Sequence, residues 1–256
     1  MTLAWMGTQP EEFECLRGAL EAAVRQHHAG REFHAGRLDG RELVLVRCGP
    51  DAVASAITAT LLIERYGATA IVATGLAAAL APGLRLGDVL LARELRQPAR
   101  EDEALFVRTP APAGRASWPT DALLGDGLAA AARAALEAER IGLAASLAAF
   151  DIGAPRLHEG LLLSDARGPG HATEARALHA AWPAALAVET GAAAIARVCD
   201  DADLPFVLLH TVARRPDGSG PAVPGRFAAE VAAPLAAAIL RRWLRDGAAV
   251  EPDTPA

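Results

Sequence analysis

The chain has 256 residues, of which 52% are hydrophobic, 22% charged and 4% aromatic, and its formal net charge is −6. This length suits one large α/β domain, and scattered basic residues with few aromatic residues argue against a nucleic-acid partner. The 25 basic side chains other than histidine are all arginine, which excludes a Schiff-base lysine and the lysine of a P-loop.

Hydropathy and cysteine content indicate the cellular compartment and whether a metal or cofactor is expected. No apolar run approaches the ~20 residues that span a membrane, and the N-terminus lacks the basic start and apolar segment of a secretory signal. We therefore expect a cytoplasmic protein without a membrane partner. Cys15, Cys48 and Cys199 are far apart and odd in number, which favours reduced thiols, and the seven histidines lack metal-ligand spacing. We expect neither a metal nor another cofactor.

Alternating strand and helix patterns predict a single α/β domain over residues 1–247, followed by a disordered tail over residues 248–256. The first half is predicted as a strand Leu3–Met6, a helix from the Thr8–Pro10 turn to about His27, a hairpin Glu32–Leu38 and Glu42–Cys48, a helix Asp51–Tyr66 and a buried strand Thr69–Gly75. The second half is predicted as a strand Val89–Ala92, an irregular segment Pro98–Pro119, a helix Asp121–Glu139, a strand Gly160–Ser164, a helix His171–Ala181, a strand Ala185–Glu189, a helix Thr190–Asp200, a strand Pro205–Val212 and a helix Phe227–Leu244.

The most informative stretch is Ala70–Arg93, where a buried strand leads into small residues and a Gly-Asp pair precedes another strand. Gly75 and the alanines after it predict a turn that a ligand or a neighbouring element approaches closely. The stretch resembles the "TGSAGGL-x-P-x-L-x-x-GD" segment of the nucleoside phosphorylase and nucleosidase superfamily, especially the methylthioadenosine/S-adenosylhomocysteine nucleosidases. Leu76 stands at the serine of that segment, and Ala78 and Ala79 stand at its two glycines.

The order and spacing of further strings extend this resemblance over roughly residues 3–244. It implies an α/β fold, a three-layer α/β/α sandwich around a central mixed twisted sheet. The sequence fits an unrelated dinucleotide-binding domain less well, because its first turn has one glycine, Gly7, instead of the G-x-G-x-x-G motif of such domains. The resemblance also implies a homo-oligomer, for which we expect a dimer. The segment Pro98–Pro119 and the helix from Asp51 are the candidate contacts.

Glu12 follows the first strand and its tight turn, so we expect it at the carboxyl end of a strand, where α/β proteins bind ligands. The turn is similar to the family's "G-x-M-x-x-E", with Gln9 at the methionine. The resemblance implies that Glu12 activates an attacking water. The alternative is a glutamate that only interacts with the dipole of its helix.

The string Leu186–Ala192 resembles the family's "AVEMEAAA", in which the methionine packs near a ribose and the second glutamate binds its hydroxyls. Glu189 matches the first glutamate, Thr190 stands at the methionine and Gly191 at the second glutamate. We expect Glu189 and Thr190 to contact substrate, together with Gly75 and Leu76. The alternative for Glu189 is a salt-bridged carboxylate at a strand end.

The string Pro205–Asp217 resembles "PF-x-x-x-R-x-I-S-D-x-x-D", in which the aspartate after the serine protonates a purine. His210 stands at the arginine, Arg214 at that aspartate, and Asp217 matches the second aspartate. Because arginine keeps its proton at neutral pH, Asp217 or His210 is the candidate acid, and histidine has a pKa near the useful range. The alternative for His210 is a core histidine bonded to backbone.

Two further sets of residues complete the candidate site. The strand end Gly160–Asp165 resembles "GLIVSGDAF", which holds the base, so Ser164 and Asp165 are candidate contacts although the aromatic residue is missing. Asp165 also suits a simple turn. Arg47 precedes a turn into a helix N-terminus and could bind an anion together with Arg214; the alternative is two unrelated surface arginines.

Three functions remain open. The first is cleavage of the N-ribosyl bond of a purine nucleoside, with water or phosphate as acceptor and an altered substrate range. The second is a catalytically inactive nucleoside-binding or interaction protein. The third is a phosphorylase-like enzyme on another glycoside that uses Arg47 and Arg214 for an anion.

Overall fold

The computed structural model describes residues 2–49, 51–98 and 116–247, and over these ranges ten strands join in one sheet. The strands are β1 (Thr2–Gly7), β2 (Glu21–His28), β3 (Arg31–Leu38), β4 (Arg41–Arg47), β5 (Ala68–Ala79), β6 (Val89–Arg96), β7 (Ser117–Pro119), β8 (Leu157–Ser164), β9 (Ala185–Glu189) and β10 (Phe206–Arg214). The helices are α1 (Pro10–Arg17), α2 (Ala52–Tyr66), α3 (Ala122–Gly142), α4 (Ala144–Ala149), α5 (Ala172–Ala181), α6 (Ala192–Asp201), α7 (Pro224–Phe227) and α8 (Ala233–Asp246), with a π-helical turn Ala228–Ala232 before α8.

The sheet is mixed, and part of it closes on itself. From one edge, β2, β3 and β4 are antiparallel, and β1, β5 and β10 then run parallel to β4. Next come β6, antiparallel to β10, and then β8 and β9, parallel to β6. The end of β9 pairs antiparallel with the end of β5, through Ala78–Val188 and Ala79–Ala187. This closure returns Glu189, the last residue of β9, to the end of β5.

Helices cover both faces of the sheet because the central strands are apolar on both sides. Trp5, Val72 and Leu209 pack towards α1, α3 and α8 in one cluster, whereas alternate residues such as Met6 and Leu208 pack towards α2 and α6 in the other. The expected α/β class, with a central mixed sheet between helices, is confirmed. None of the helices in the described ranges is both long and apolar enough to cross a membrane.

The prediction of one helix as far as His27 is wrong. Helix α1 ends at Arg17, and residues 21–28 form the edge strand β2, which pairs with β3. Ala, Leu and Glu give this segment a helical preference, but pairing with β3 overrides it. Gly36 permits this pairing, since a Cβ there would lie 2.6 Å from the carbonyl oxygen of Glu21.

The small residues after Gly75 form strand and not the predicted turn. Strand β5 continues to Ala79, because Gly75 to Ala78 pair with β10 and the last alanines pair with β9. Of the predicted irregular segment Pro98–Pro119, residues 99–115 lie outside the described residues, and Ser117–Pro119 forms β7. The predicted tail over 248–256 also lies outside the described residues.

Asp88 joins the starts of β6 and β8 and offers a test of the fold. Its buried carboxylate accepts hydrogen bonds from the amides of Arg85 (3.0 Å) and Arg156 (2.9 Å) and pairs with Nε2 of His158 at 2.9 Å. We expect Asp88→Ala to lower the free energy of unfolding by about 3 kcal/mol, because the amides lose a charged acceptor. Urea denaturation measures this loss. The control Asp126→Ala removes an exposed partner of Arg93 and should cost less than about 1 kcal/mol; equal losses would contradict the role of Asp88.

Candidate functional site

A cavity of about 130 Å³ lies just beyond the end of β1, beside the middle of β5 and β10 and the start of α6. Because these three strands are parallel, their carboxyl ends open at the same edge of the sheet, the usual place for ligands in α/β proteins. Pockets that enclose drug-sized ligands are about 300 Å³ or larger, so a ligand of that size would extend beyond this cavity. Its walls include Thr8, Thr74, Leu76, Glu189, Thr190 and His210.

Gly75 lets two polar side chains approach the middle of β5. A Cβ at this position would lie 2.5 Å from Oγ1 of Thr8 and 3.3 Å from Nε2 of His210. Any larger residue would therefore displace Thr8 from the cavity wall. The prediction of a close approach at Gly75 holds, but the approaching groups are side chains of the turn after β1 and of β10.

Glu12 is 1% exposed and lies in the first turn of α1, outside the residues that line the cavity. Its Oε2 accepts a hydrogen bond from the amide of Gln9 at 3.1 Å, whereas its buried Oε1 has no partner among the described residues. Burial raises the pKa of Glu12 to about 7, and the nearby amides of Gln9 and Thr8 and hydroxyl of Thr74 oppose that rise. Near neutral pH this carboxyl group therefore exists in both protonation states.

Glu189 is buried on the other side of the cavity and binds the start of α6. Its carboxylate accepts hydrogen bonds from the amides of Gly191 (2.7 Å) and Ala192 (2.9 Å). Desolvation raises its pKa, and these amides and the Ser164 hydroxyl counteract the shift. Within the described part of the chain its partners are neutral groups, so the alternative of a salt bridge is not observed.

His210 is 3% exposed, and its buried Nδ1 has no hydrogen-bond partner among residues 2–49, 51–98 and 116–247. Desolvation lowers the pKa of His210 to about 4. The expectation of a pKa near neutrality is therefore wrong, because the imidazole has lost water without gaining an acidic partner. The side chain is neutral at pH 7 and cannot deliver a proton as an imidazolium ion.

Cys48 is a buried thiol that follows β4 and lies within electrostatic range of both Glu12 and Glu189. Burial raises the pKa of this thiol to about 11, and both Glu12 and Glu189 contribute to the rise through their negative charge. The thiol is therefore protonated at neutral pH and unsuited to act as a nucleophile. The structure thus brings Glu189 and His210 into the lining of one small polar cavity, whereas Glu12 lies outside that lining, next to Thr8 and Thr74.

Asp217 and Arg214 lie away from this cavity. Asp217 is exposed, and its carboxylate accepts a hydrogen bond from the amide of Ser219 at 2.8 Å, which closes a local turn. The hydroxyl of Ser219 and then this amide lower the pKa of Asp217. Arg214 is also exposed and donates to the carbonyl oxygen of Pro169 at 3.3 Å. The loop between them does not fold inward.

Arg47 and Arg214 do not form a joint anion site. Three strand spacings separate them, and Arg214 lies four positions further along the sheet, which puts their Cα atoms roughly 20 Å apart. Arg47 lines a separate surface groove of about 530 Å³ with Phe13 and Arg31.

The remaining predicted contacts have structural partners. Ser164 accepts a hydrogen bond from the amide of Ala193 at 3.0 Å, and Asp165 accepts one from the amide of Arg167 at 3.1 Å within a turn. Thr190 and Leu76 line the cavity. No three metal-binding side chains are grouped suitably for an ion in the described ranges.

Sequence reasoning missed the polar residues Thr8, Thr74 and Ser55 of the cavity wall. Thr8 lies in the turn before the first helix, whose N-cap is Gln9. The signal for Thr74 was its place directly before Gly75, at the end of a buried strand. Ser55 gave no such signal, because it lies within an ordinary helix.

Comparisons with known proteins agree with the geometry. The family profile of the phosphorylase superfamily matches residues 3–245. A methylthioadenosine/S-adenosylhomocysteine nucleosidase from Colwellia psychrerythraea 34H, solved with adenine, is 26% identical with a TM-score of 0.75, over 95% of this chain and 94% of that one. The nucleosidase from Neisseria meningitidis, solved with methylthio-immucillin-A, shares the fold at 23% identity and a TM-score of 0.78, over 96% and 99% of the chains.

A putative methylthioadenosine nucleosidase from Weissella paramesenteroides also shares the fold, at 24% identity and a TM-score of 0.79, over 96% and 98% of the chains. The resemblance drawn from the sequence motifs is thereby confirmed.

Glu12 should make stability depend on pH. Its pKa is about 7 in the folded state against 4.5 for an ordinary glutamate, so the folded state binds more protons and stability falls as pH rises through this window. We expect Glu12→Gln to raise the free energy of unfolding at pH 8 by up to about 3 kcal/mol. Urea denaturation at pH 5 and pH 8 measures the difference, which should shrink at pH 5. A variant that is less stable than the wild type at pH 8 would contradict the cost of ionising Glu12.

Proposed function

Because the chain belongs to the phosphorylase superfamily, we propose that it cleaves the N-ribosyl bond of a purine nucleoside, with water as the acceptor. The observation that carries this proposal is the unpartnered, buried oxygen of Glu12 beside a polar cavity at the strand ends. Relatives solved with adenine and with a methylthio-immucillin support a small-molecule nucleoside as ligand.

Glu12 activates the nucleophile in this proposal. Its ionised form accepts a proton from a water molecule at Oε1, and the water oxygen attacks C1′ of the sugar as the bond to the base breaks. Oε2 remains bound to the amide of Gln9, which keeps the carboxylate oriented. A pKa of about 7 matches a general base at neutral pH, because such a base is largely ionised yet still basic.

Glu189, Thr190 and Leu76 bind the sugar. The carboxylate of Glu189 retains lone pairs beyond those used by the amides of α6, and these accept hydroxyl groups of the ribose. Such contacts strengthen as positive charge develops on the sugar ring. Leu76 offers only apolar contact.

Neither of the two candidate acids can protonate the leaving base. His210 is neutral, and Asp217 is exposed and ionised, so neither delivers a proton at pH 7. The neutral imidazole can still donate an N–H hydrogen bond to the leaving base. Because general-acid assistance contributes about 10²–10⁴-fold, we expect slow turnover, or a substrate whose base leaves without protonation.

A second candidate is a catalytically inactive nucleoside-binding protein. Two observations favour it. Backbone amides of α6 already donate hydrogen bonds to the Glu189 carboxylate, and Asp217 lies in an exposed turn away from the cavity. Phosphorolysis receives less support, because Arg47 and Arg214 lie far apart. We also propose a homo-oligomer, for which Val53 and Ile57 on the exposed face of α2 are the candidate contacts.

Release of free base separates these functions. The protein is incubated with methylthioadenosine, adenosine or inosine, each with and without phosphate, and the free base is quantified by chromatography. We expect release without phosphate. Release that requires phosphate would replace hydrolysis by phosphorolysis. Calorimetric binding without release would support the inactive binder, and the absence of both would contradict all three functions.

The pH profile tests the role of Glu12. We expect kcat to rise with pH through about 7, because only the ionised carboxylate accepts the proton of water. Glu12→Gln should lower kcat at least 100-fold. The matched control Glu14→Gln changes an exposed residue of the same helix that pairs with Arg17, and it should stay within twofold of the wild type. Unchanged kcat in Glu12→Gln would exclude the proposed base.

A further inference from the structure

Thr74 is a buried polar residue beside Glu12 that the mechanism above leaves without a role. It is 1% exposed, and its Oγ1 has no hydrogen-bond partner in the described part of the chain. A buried hydroxyl without a partner is unusual, since burial removes the water that would otherwise bind it. The described residues therefore leave part of its hydrogen-bonding capacity unused.

The sheet places Thr74 directly next to the turn that carries Glu12. Thr74 lies opposite Gly7 of β1, and its carbonyl oxygen accepts a hydrogen bond from the amide of Thr8 at 3.2 Å. Side chains two residues apart on a strand share a face, and Val72 belongs to the cluster under α1. Thr74 therefore points to the face that α1 covers, and α1 carries Glu12.

Two unpartnered oxygens thus meet in one buried place, Oγ1 of Thr74 and Oε1 of Glu12. The hydroxyl lies close enough to Glu12 to favour its ionised form. A water molecule beside them could donate one hydrogen to each oxygen, while the Thr74 hydroxyl directs its own hydrogen towards the Glu12 carboxylate. The lone pair of the water would then be free to face the cavity.

We propose that Thr74 is a positioning residue whose hydroxyl, together with Glu12, holds the attacking water; this inference rests on the proposed function. In the step, one proton of the water moves to Oε1 of Glu12 while the water oxygen forms the bond to C1′. The electrons of the C1′–N bond leave with the base. Thr74 keeps its own proton throughout and only orients the water.

The titration of Glu12 can be distinguished from those of the titratable groups around it. Glu11 precedes it in the same turn, Cys15 follows on α1, and Cys48 faces it from the end of β4. The pKa of Cys48 is about 11 and that of His210, across the cavity on β10, is about 4. Glu189 couples to Cys48 and is a second carboxyl group whose pKa is raised. Glu12→Gln identifies which titration belongs to Glu12.

The test compares Thr74→Val, which keeps the shape and removes the hydroxyl, with Thr74→Ser, which keeps the hydroxyl. Thr60→Val is the matched control, since Thr60 is exposed on α2 and its hydroxyl donates only to the carbonyl oxygen of Ala56. Two quantities are measured: kcat as a function of pH, and the pKa of Glu12 in the ligand-free protein by carbon-13 NMR of labelled glutamate. Circular dichroism checks folding, and Thr74→Ala replaces the valine variant if that variant does not fold.

We expect Thr74→Val to lower kcat about 10- to 100-fold and to raise the pKa of Glu12, because the carboxylate loses a nearby donor. Thr74→Ser should restore both, and Thr60→Val should change neither. An unchanged pKa and kcat in Thr74→Val, or a serine variant as impaired as the valine variant, would overturn the role of Thr74. If the wild type releases no base, the proposed function fails and the attacking-water role falls with it. The NMR titration then still reports whether the hydroxyl supports ionised Glu12.

Discussion

The desolvation of one carboxyl group, that of Glu12, is the constraint on which the site depends. The group is held at the first turn of α1 by the amide of Gln9, while burial removes nearly all its water. Its pKa consequently lies near 7, where a carboxylate is basic enough to accept a proton from water. The same burial lowers the free energy of unfolding above neutral pH. The carboxyl group is therefore more basic but the protein is less stable, which is common in active sites. Gly7, Gly75 and the parallel pairing of β1 with β5 produce this geometry.

Closure of the sheet supplies the second half of the site. Strand β9 runs opposite to β5, and their pairing returns Glu189 to the level of Leu76 and the cavity. The start of α6 then neutralises part of the charge on Glu189 through its amides. His210 fills the remaining side as a neutral ring. The result is a cavity lined by one carboxyl group, that of Glu189, with no cation among the described residues that line it, which suits a sugar that gains positive charge.

The sequence predicted the architecture better than the chemistry. Apolar strands, the Asp39-Gly40 hairpin and the motif order were sufficient for the fold and for the position of Glu12, because these signals are local or come from a known pattern. Strand β2 was missed because its helical composition is overridden by pairing with β3. The expected pKa of His210 near the useful range was wrong, and the candidate acid Asp217 lies in an exposed turn. Both depend on how a loop folds and on how much water a side chain loses, and no local pattern contains that information.

The central claim is that a nucleoside sugar binds between Glu12, Glu189 and His210. The most direct measurement is a crystal structure of the Glu12→Gln protein with adenosine, since this variant should bind substrate without cleaving it. The account predicts electron density for the ribose in the cavity, with C1′ facing residue 12 and sugar hydroxyls within hydrogen-bond distance of Glu189. Density for the nucleoside elsewhere, for example in the groove of Arg47, or an empty cavity at saturating adenosine, would contradict it.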